Sequence, residues 1–398
     1  MTKFQLTVAL VVAAAIAAAG CATVPSEPAA TSSAPGSTAT AAPVRAAPNP
    51  FASMPPPAIR DRLLALDPDH ISGRDVSETL AKSPAPRIIL LHGGLFPVYL
   101  LMKSFGVFLA RMGYPESRIR DPGNGGWSYS PYDDSTKLAG IVAWEYEHDG
   151  LRPMLIGHSQ GGVQVVKVLH ELAGNFAPSL RVFDPATGEF GDRTTIVDPY
   201  THHARPVVGL SVAYASVVGA GGLAFLVPNQ WSMADRLTTI PDTVHEFTGF
   251  VIDSDPVAMD YPDSIKLYHP NGTAKVQNVE LPSNYSHIFL PEVAPLALEP
   301  EVRDWINAYV PGGKHDTSSL PADAQDHVLW AADVWYSIKR HWCLEAQRLV
   351  RADLAARHGR DAPTPMAMPR PAPQGAPIAG AATEGRAHDV PAAIDRRD

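Results

Sequence analysis

Residues 153–162 read Pro-Met-Leu-Ile-Gly-His-Ser-Gln-Gly-Gly, and this stretch decides the fold. Its first half, Pro153–Gly157, is short and apolar, which is typical of a buried strand. The segment that follows, Gly162–Leu172, is predicted to be a helix. Ser159 therefore lies in a tight turn between a strand and a helix, with glycines close on both sides.

Outward from this stretch, strands and helices alternate along the chain. The predicted strands are Arg87–Leu91, Ser117–Asp121, Pro153–Gly157, Val207–Tyr214, Val244–Ile252 and Val276–Leu281. The predicted helices are Leu95–Met112, Leu138–His148, Gly162–Leu172, Pro300–Val310 and a long one from Ala322 to His358. This alternation predicts an α/β fold with a mostly parallel sheet and helices on both faces.

The composition indicates one globular domain with unusual ends. Hydrophobic residues make up 45% of the 398, and the 39 prolines concentrate toward the termini. We expect a domain of roughly 230–270 residues between loosely attached flanks. The net charge of −9, with no basic run, argues against nucleic acid as a partner. The sequence does not indicate an oligomeric state.

Five segments follow from these observations. Residues 1–21 read as an export signal, because Lys3 precedes an almost uncharged apolar run. Residues 22–57 are rich in Ala, Pro, Ser and Thr and are expected to form a disordered tether. Residues 58–312 are the α/β domain, 313–360 a C-terminal helical extension, and 361–398 a disordered tail.

The end of the export signal, Ala18–Cys21, resembles the bacterial lipobox, with Ala18 where Leu is usual. That resemblance implies a lipid anchor on Cys21 in the cell envelope, at the outer membrane in a Gram-negative host. The alternatives are a plain secretory signal, which would give a periplasmic or secreted protein, and an uncleaved apolar anchor.

The turn at Ser159 has the pattern of a nucleophile elbow, Gly-x-Ser-x-Gly between a strand and a helix. Only small neighbours allow the flanking backbones to pass closely enough for the hydroxyl to project from the sheet. The helix that follows directs its positive N-terminal end toward any oxyanion formed there. Ser159 is therefore the candidate nucleophile.

With this elbow in its context, Arg87–Val310 resembles an α/β-hydrolase of the lipase and esterase kind. The resemblance implies a serine hydrolase with a triad in the chain order Ser, acid, His. It implies an acyl-enzyme intermediate, a small-molecule ester or lipid as substrate, and no metal or organic cofactor.

The resemblance also assigns an oxyanion hole. The loop His92-Gly93-Gly94 follows the first clear strand and resembles the His-Gly loop of lipases. The two backbone donors then fall on Gly94 and Gln160, with Leu95 a possible substitute for Gly94. His92 itself is expected to brace the loop.

The acid and the base follow from the same resemblance. Asp253 and Asp255 both follow a predicted strand, and the Pro-Val after Asp255 favours it as the acid, with Asp253 the alternative. His287 follows the last strand, where the family places its base, whereas His245 and His269 are competing histidines.

The uncharged stretch Ser211–Pro228 lies where hydrolases commonly carry a lid, so an apolar lid insertion is expected; the alternative is a strand and ordinary core. Other functions stay open, because thioesterases, amidases and acyltransferases share the elbow. A non-catalytic surface lipoprotein is the alternative outside the enzymes.

Overall fold

A five-stranded parallel sheet forms the centre of the protein. The computed structural model describes residues 49–94, 96–260, 267–313 and 315–357. The strands are β1 (Ile88–Leu91), β2 (Met154–His158), β3 (Phe183–Asp184), β4 (Glu189–Phe190), β5 (Thr195–Val197), β6 (Ala204–Pro206), β7 (Val212–Val218), β8 (Thr239–Ile240), β9 (Val244–Ile252), β10 (His269–Pro270) and β11 (Lys275–Leu281). The sheet has the order β1-β2-β7-β9-β11, and all neighbours in it run parallel.

Helices cover both faces of this sheet. The α-helices are α1 (Pro57–Ala65), α2 (Gly73–Glu78), α3 (Phe96–Arg111), α4 (Ser135–Asp149), α5 (Gln160–Leu172), α6 (Pro300–Ala308), α7 (Ala322–Gln325) and α8 (Val328–Arg357). Side chains of β1 alternate between two cores. Ile88 and Leu90 pack in the core that contains α3 and α8, and Ile89 and Leu91 in the core that contains α4 and α5.

This architecture is an α/β-hydrolase fold, and it confirms the predicted fold class. Because both faces of the sheet are covered, every residue of β1, β2 and β7 is buried. Strands in that position are mostly apolar rather than alternating, which is why β1 and β2 are readable from the sequence as short apolar runs.

The long C-terminal helix α8 belongs to the core of the same domain. Trp330, Trp335 and Trp342 on this helix have no exposed surface. The ring of Trp342 lies 4.6 Å from the ring of Tyr114, and its Nε1–H donates to the carbonyl of Pro84 at 3.0 Å. Aromatic side chains of this size bury large apolar areas, so α8 completes one face of the sheet.

A buried ion network connects α8 to the start of β2. The carboxylate of Glu345 is fully buried and accepts hydrogen bonds from the backbone N–H of Arg152 at 2.9 Å and from its Nε at 2.8 Å. Arg348 donates to the same carboxylate at 2.7 Å. Burial acts to raise the pKa of Glu345, but the two guanidinium groups lower it to about 2. Glu345 is thus held as a carboxylate between two cations.

Two predicted strands differ from the structure. Ser117–Asp121 is not a strand, because Glu116–Arg118 forms a 3-10 turn whose Arg118 donates to the carbonyl of Ala85 at 2.9 Å. The strand predicted at Val207–Tyr214 is displaced to β7. Gly209 has a φ of 92°, which interrupts the extended backbone before β7 begins.

At the N-terminal side, the folded part begins before the predicted domain start at residue 58. Pro50–Ser53 forms a 3-10 turn, and the ring of Phe51 packs edge-on against Tyr200 with centroids 6.4 Å apart. Phe51 is the one aromatic residue in a segment otherwise rich in Ala, Pro, Ser and Thr, and burial of its ring explains the contact. The export signal, Cys21, most of the tether and the tail 361–398 lie outside the described residues. Within the residues described, no helix has both the length and the apolar character to cross a bilayer.

Substitution of Glu345 by Gln tests the ion network. Removing the charge leaves Arg152 and Arg348 without their anionic partner, and we expect the free energy of unfolding to fall by about 3 kcal/mol at neutral pH. The folded-state pKa of about 2 lies below the ordinary value of 4.5. Glu345 therefore stabilises the fold above its ordinary pKa, and this contribution is lost as pH falls toward about 2.

Urea unfolding, repeated in steps of decreasing pH, measures this difference. The difference in the free energy of unfolding between the wild type and Glu345→Gln should shrink between about pH 4.5 and pH 2, because Glu345 becomes protonated in the wild type. Glu116→Gln is the matched control, because its side chain is 57% exposed and pairs with Arg120 at 3.6 Å. It should change stability by under about 0.5 kcal/mol. Equal losses for the two variants would contradict the role of Glu345.

Candidate active site

Ser159 occupies the sharp turn between β2 and α5. Its φ of 55° and ψ of −125° are strained for a residue with a side chain. A Cβ on Gly157 would lie 2.5 Å from the carbonyl oxygen of Gly161, and one on Gly161 would lie 2.5 Å from the carbonyl oxygen of His92. Both positions therefore require glycine, and the tight packing projects the hydroxyl of Ser159 beyond the end of the strand.

The turn leaves the hydroxyl of Ser159 available for chemistry. Ser159 stands at the N-cap position of α5, but its side chain makes no capping hydrogen bond. Its backbone N–H donates to the carbonyl of Val218 at 2.8 Å, which ties the turn to the end of β7. The N-terminal end of a 13-residue helix lies directly behind the hydroxyl.

The structure brings Ser159, His287 and Asp255 together in one chain of hydrogen bonds. The hydroxyl of Ser159 donates to Nε2 of His287 at 2.9 Å. Nδ1 of His287 donates to Oδ2 of Asp255 at 2.6 Å. Both His287 and Asp255 are buried. This is the geometry in which an imidazole takes a proton from a hydroxyl while a carboxylate orients the ring.

Asp255 is fixed by the backbone around it. Its second oxygen, Oδ1, accepts from the N–H groups of Val257 at 2.9 Å and Ala258 at 3.1 Å. Burial acts to raise the pKa of Asp255. His287 and the two N–H groups outweigh burial and hold that pKa below its ordinary value. The acid is therefore ionised and oriented.

Asp253, the alternative acid, points elsewhere. Its side chain accepts from the hydroxyl of Ser254 at 3.1 Å in an exposed position. On extended backbone the two aspartates would share a side, but Ser254 between them has a φ of 61°. This left-handed residue turns the chain, so only Asp255 faces His287.

Gly94 and Gln160, the residues predicted to supply the oxyanion donors, are neighbours in the structure. Gln160 is the first residue of α5. A Cβ on Gly94 would overlap the side-chain oxygen of Gln160, and one on Gly93 would lie 3.2 Å from Cβ of Ser159. Nδ1 of His92 donates to the carbonyl of Gly93 at 2.8 Å, so His92 contacts the loop as expected. Leu95, the substitute donor, lies outside the described residues.

Two side chains at the site were not singled out by the sequence analysis. His158, within the elbow motif, is 1% exposed, and its Nε2 donates to the carbonyl of His287 at 2.6 Å. The signal available was a polar residue in a strand buried on both faces, which needs a partner. The hydroxyl of Tyr132 donates to the carbonyl of Gly94 at 3.1 Å, and no sequence pattern marks this contact.

A narrow, mostly apolar cavity of about 40 Å³ opens beside Ser159. It is lined by Gly94, Val98, His158, Ser159, Gln160, Leu223, Ala224, Val257, His287 and Ile288. The apolar side chains come from α3, from the turn after β7 and from the loops that carry the acid and the base.

The stretch predicted as an apolar lid divides into two parts. Its first half is β7 in the middle of the sheet, so the strand alternative holds there. Beyond it, Gly222–Leu226 forms a 3-10 turn that walls the cavity. Leu223 N–H donates to the carbonyl of Val257 at 3.0 Å, and a Cβ on Gly222 would lie 2.5 Å from the carbonyl oxygen of Ala258. The turn is therefore packed tightly onto the loop that carries Asp255.

The competing histidines lie away from Ser159. His245 is at the start of β9, at the opposite edge of the sheet, and His269 is exposed in β10. His245, Glu246 and His341 form the one group in the described residues with the spacing of metal ligands. However, a guanidinium nitrogen of Arg340 lies 2.7 Å from Oε2 of Glu246, so a cationic side chain already neutralises this carboxylate. The group is better suited to an internal ion pair than to a metal.

No protein-family model matches the chain, and no curated protein matches it. Among solved structures, the chain is similar to RedJ with a PEG molecule bound in its active site, at 16% identity and a TM-score of 0.27, over 54% of this chain and 85% of that one. It is also similar to Aspergillus fumigatus lipase B, at 13% identity and a TM-score of 0.30. That match covers 65% of this chain and 62% of the lipase. At these scores the similarity carries no argument about function, which depends on the geometry of the site.

Proposed function

We propose that this chain is a serine hydrolase that cleaves carboxylic esters through an acyl-enzyme on Ser159. The observation that carries the proposal is the continuous hydrogen bonding from the hydroxyl of Ser159 through His287 to Asp255. A strained serine at a helix N-terminus, bonded to a buried histidine and carboxylate, is costly to maintain without a chemical use.

In the proposed acylation step, Oγ of Ser159 attacks the ester carbonyl and its proton moves to Nε2 of His287. The ionised Asp255 stabilises the imidazolium that forms. In this proposal the carbonyl oxygen becomes an oxyanion, and the backbone N–H groups of Gly94 and Gln160 donate hydrogen bonds to it. One such donor lowers the barrier by about 3–4 kcal/mol in a comparable enzyme.

Collapse of the tetrahedral intermediate completes the reaction in two further transfers. His287 returns its proton to the leaving alkoxide, which departs as the alcohol and leaves Ser159 acylated. Water then attacks the acyl-enzyme while His287 accepts one of its protons. When the second tetrahedral intermediate collapses, its bond to Oγ of Ser159 breaks and His287 returns the proton to Oγ, which releases the carboxylic acid and restores the hydroxyl.

The small cavity indicates the acyl group. A cavity of about 150 Å³ binds benzene, which is about 25 Å³ for each carbon, so about 40 Å³ accommodates an acyl group of no more than about two carbons. The wall formed by Leu223 and Ala224 is packed on the acid loop, and displacing it would disturb Asp255. We therefore propose short-chain acyl esters as substrates, which favours an esterase over a lipase.

Three enzymatic alternatives share the same proposed acyl-enzyme. A thioesterase or amidase differs in the leaving group, and an acyltransferase differs in the acceptor. Competition between an alcohol and water for the acyl-enzyme separates the acyltransferase from the hydrolases. The non-catalytic surface lipoprotein is disfavoured because such a protein has no need for an oriented Ser-His-Asp chain.

We also propose that the protein is anchored in a bacterial cell envelope through a lipid on Cys21. This proposal rests on the lipobox-like end of the export signal, which lies outside the described residues. Replacement of Cys21 by Ser should release the protein from membranes, as measured by fractionation and intact mass. An unmodified Cys21, or a mature N-terminus beyond it, would contradict the anchor.

Asp255→Asn tests the triad, with Asp253→Asn as its matched control. Loss of the Asp255 carboxylate removes the group that orients His287, so kcat for p-nitrophenyl acetate should fall by about 1,000- to 10,000-fold. The control should stay within about twofold of the wild type, because the side chain of Asp253 bonds only to the exposed Ser254 in the described contacts. A large loss of kcat in Asp253→Asn together with a near-wild-type kcat in Asp255→Asn would exclude Asp255 as the acid.

A series of p-nitrophenyl esters from acetate to octanoate tests the acyl group. We expect kcat/KM to be highest for the shortest esters and to fall about tenfold or more by octanoate, because overfilling a packed cavity is unfavourable by about 1–3 kcal/mol. Leu223→Ala should shift the optimum to longer chains. Leu100→Ala, at a position 53% exposed and outside the cavity lining, should not. A rate that rises with chain length would instead favour a lipase.

A further inference from the structure

The imidazole of His158 is bonded to the backbone of the residue proposed as the catalytic base. His158 ends β2 and immediately precedes Ser159. Its Nε2 lies 2.6 Å from the carbonyl oxygen of His287, and the two imidazole rings have centroids 5.1 Å apart. The carbonyl can only accept, so the hydrogen must be on Nε2 of His158.

Burial keeps the imidazole of His158 neutral. His158 is 1% exposed, and its Nδ1 has no hydrogen-bond partner among the described residues. A Cβ on Gly93 would lie 3.3 Å from that Nδ1, so the loop before α3 covers the ring. Burial, followed by the proximity of His287, lowers the pKa of His158 to about 3. His158 is therefore neutral and donates one hydrogen bond.

The segment that carries His287 is an irregular loop, and its side chains Tyr285, Leu290 and Val293 pack in the core. Between the end of β11 at Leu281 and the turn at Ala294–Ala297, the chain has no regular secondary structure. The backbone hydrogen bonds described there are local, as from Tyr285 to Pro282 and from Leu290 to Ser286. The bond from His158 connects this segment to the central sheet.

The two side-chain bonds of His287 would change strength during catalysis, because one partner loses a proton and the ring becomes charged. The bond from His158 reaches only the backbone of His287, so it keeps its donor and acceptor throughout. A neutral ring at this position also adds no positive charge beside the imidazolium.

We propose that His158 is a positioning residue. Its Nε2–H connects the backbone carbonyl of His287 to β2, which is the strand that presents Ser159. This rests on the proposed hydrolase function, because it assigns His287 as the base. It predicts a requirement for a donor at this point in space, rather than for a histidine as such.

Three variants test the requirement. His158→Phe keeps a ring and removes the donor. His158→Gln keeps a donor, because its amide nitrogen is as many bonds from Cα as Nε2 of His. His170→Phe is the matched control, because His170 is also buried and donates to a backbone carbonyl, that of Thr239 at 2.9 Å, but it does not line the cavity.

We expect His158→Phe to lower kcat by about ten- to a hundredfold, with KM within about twofold. His158→Gln should recover most of kcat, and His170→Phe should keep kcat even where its melting temperature falls. Wild-type kcat in His158→Phe, or equal impairment in the Phe and Gln variants, would overturn the proposal. If the Phe variant does not fold, His158→Asn serves in its place, because its shorter amide does not reach the carbonyl.

Nitrogen NMR of the imidazoles reports the tautomer and protonation state of His158 and His287 directly. It therefore tests the positioning role independently of whether the protein hydrolyses esters. The wild type should show His158 neutral and protonated on Nε2, with a low-field Nδ1–H proton on His287. That proton should broaden or shift in His158→Phe and be retained in His158→Gln. A wild type that hydrolyses no ester and takes up no fluorophosphonate would refute the hydrolase, whereas His158 protonated on Nδ1 would refute its positioning role alone.

Discussion

The close contact between strand β2 and helix α5 is the constraint on which the site depends. Gly157 and Gly161 leave no room for a side chain between these elements. The chain therefore turns within one residue, and Ser159 takes a backbone conformation that it would not adopt alone. The strain is maintained by the packing of the strand and the helix, and the result is a hydroxyl held at a fixed point above the sheet.

The parallel sheet then determines what meets that hydroxyl. The strands β2, β9 and β11 run in the same direction, so the segments after them emerge at one edge. Asp255 follows β9 and His287 follows β11, which is why residues far apart in sequence come within hydrogen-bond distance. At the other ends of the strands, where they begin, ion pairs hold α8 in place, including that of Arg152 with Glu345. The triad therefore lies at the C-terminal ends of the strands, and the ion pairs that hold α8 lie at their N-terminal ends.

Much of the fold was predictable because the strands β1, β2, β7 and β9 are almost wholly buried. The strand Val244–Ile252 was predicted with the bounds it has in the structure, since its second half is mostly apolar and aspartates follow it. The displaced strand β7 shows the limit, because the conformation of Gly209 is set by the fold around it and not by the apolar pattern. The docking of α8 depends on contacts with distant segments, such as that of Trp342 with Tyr114, which no local pattern encodes.

The site shows the same division between local and non-local information. The elbow at Ser159 is local and was readable directly, and the chain order Ser, acid, His led to Asp255 and His287. The choice between Asp253 and Asp255 depends on the left-handed backbone of Ser254, which sequence alone does not give. The role inferred for His158 depends on a hydrogen bond across 129 positions of the chain.

Labelling with a fluorophosphonate probe, read by intact mass on the wild type and on Ser159→Ala, tests the central claim most directly. An activated serine attacks phosphorus and loses its proton to His287, whereas an ordinary serine does not react. We predict one adduct on the wild type and none on the variant. A folded wild type that takes up no probe, or a Ser159→Ala variant labelled to the same extent, would contradict the assignment of Ser159 as the nucleophile.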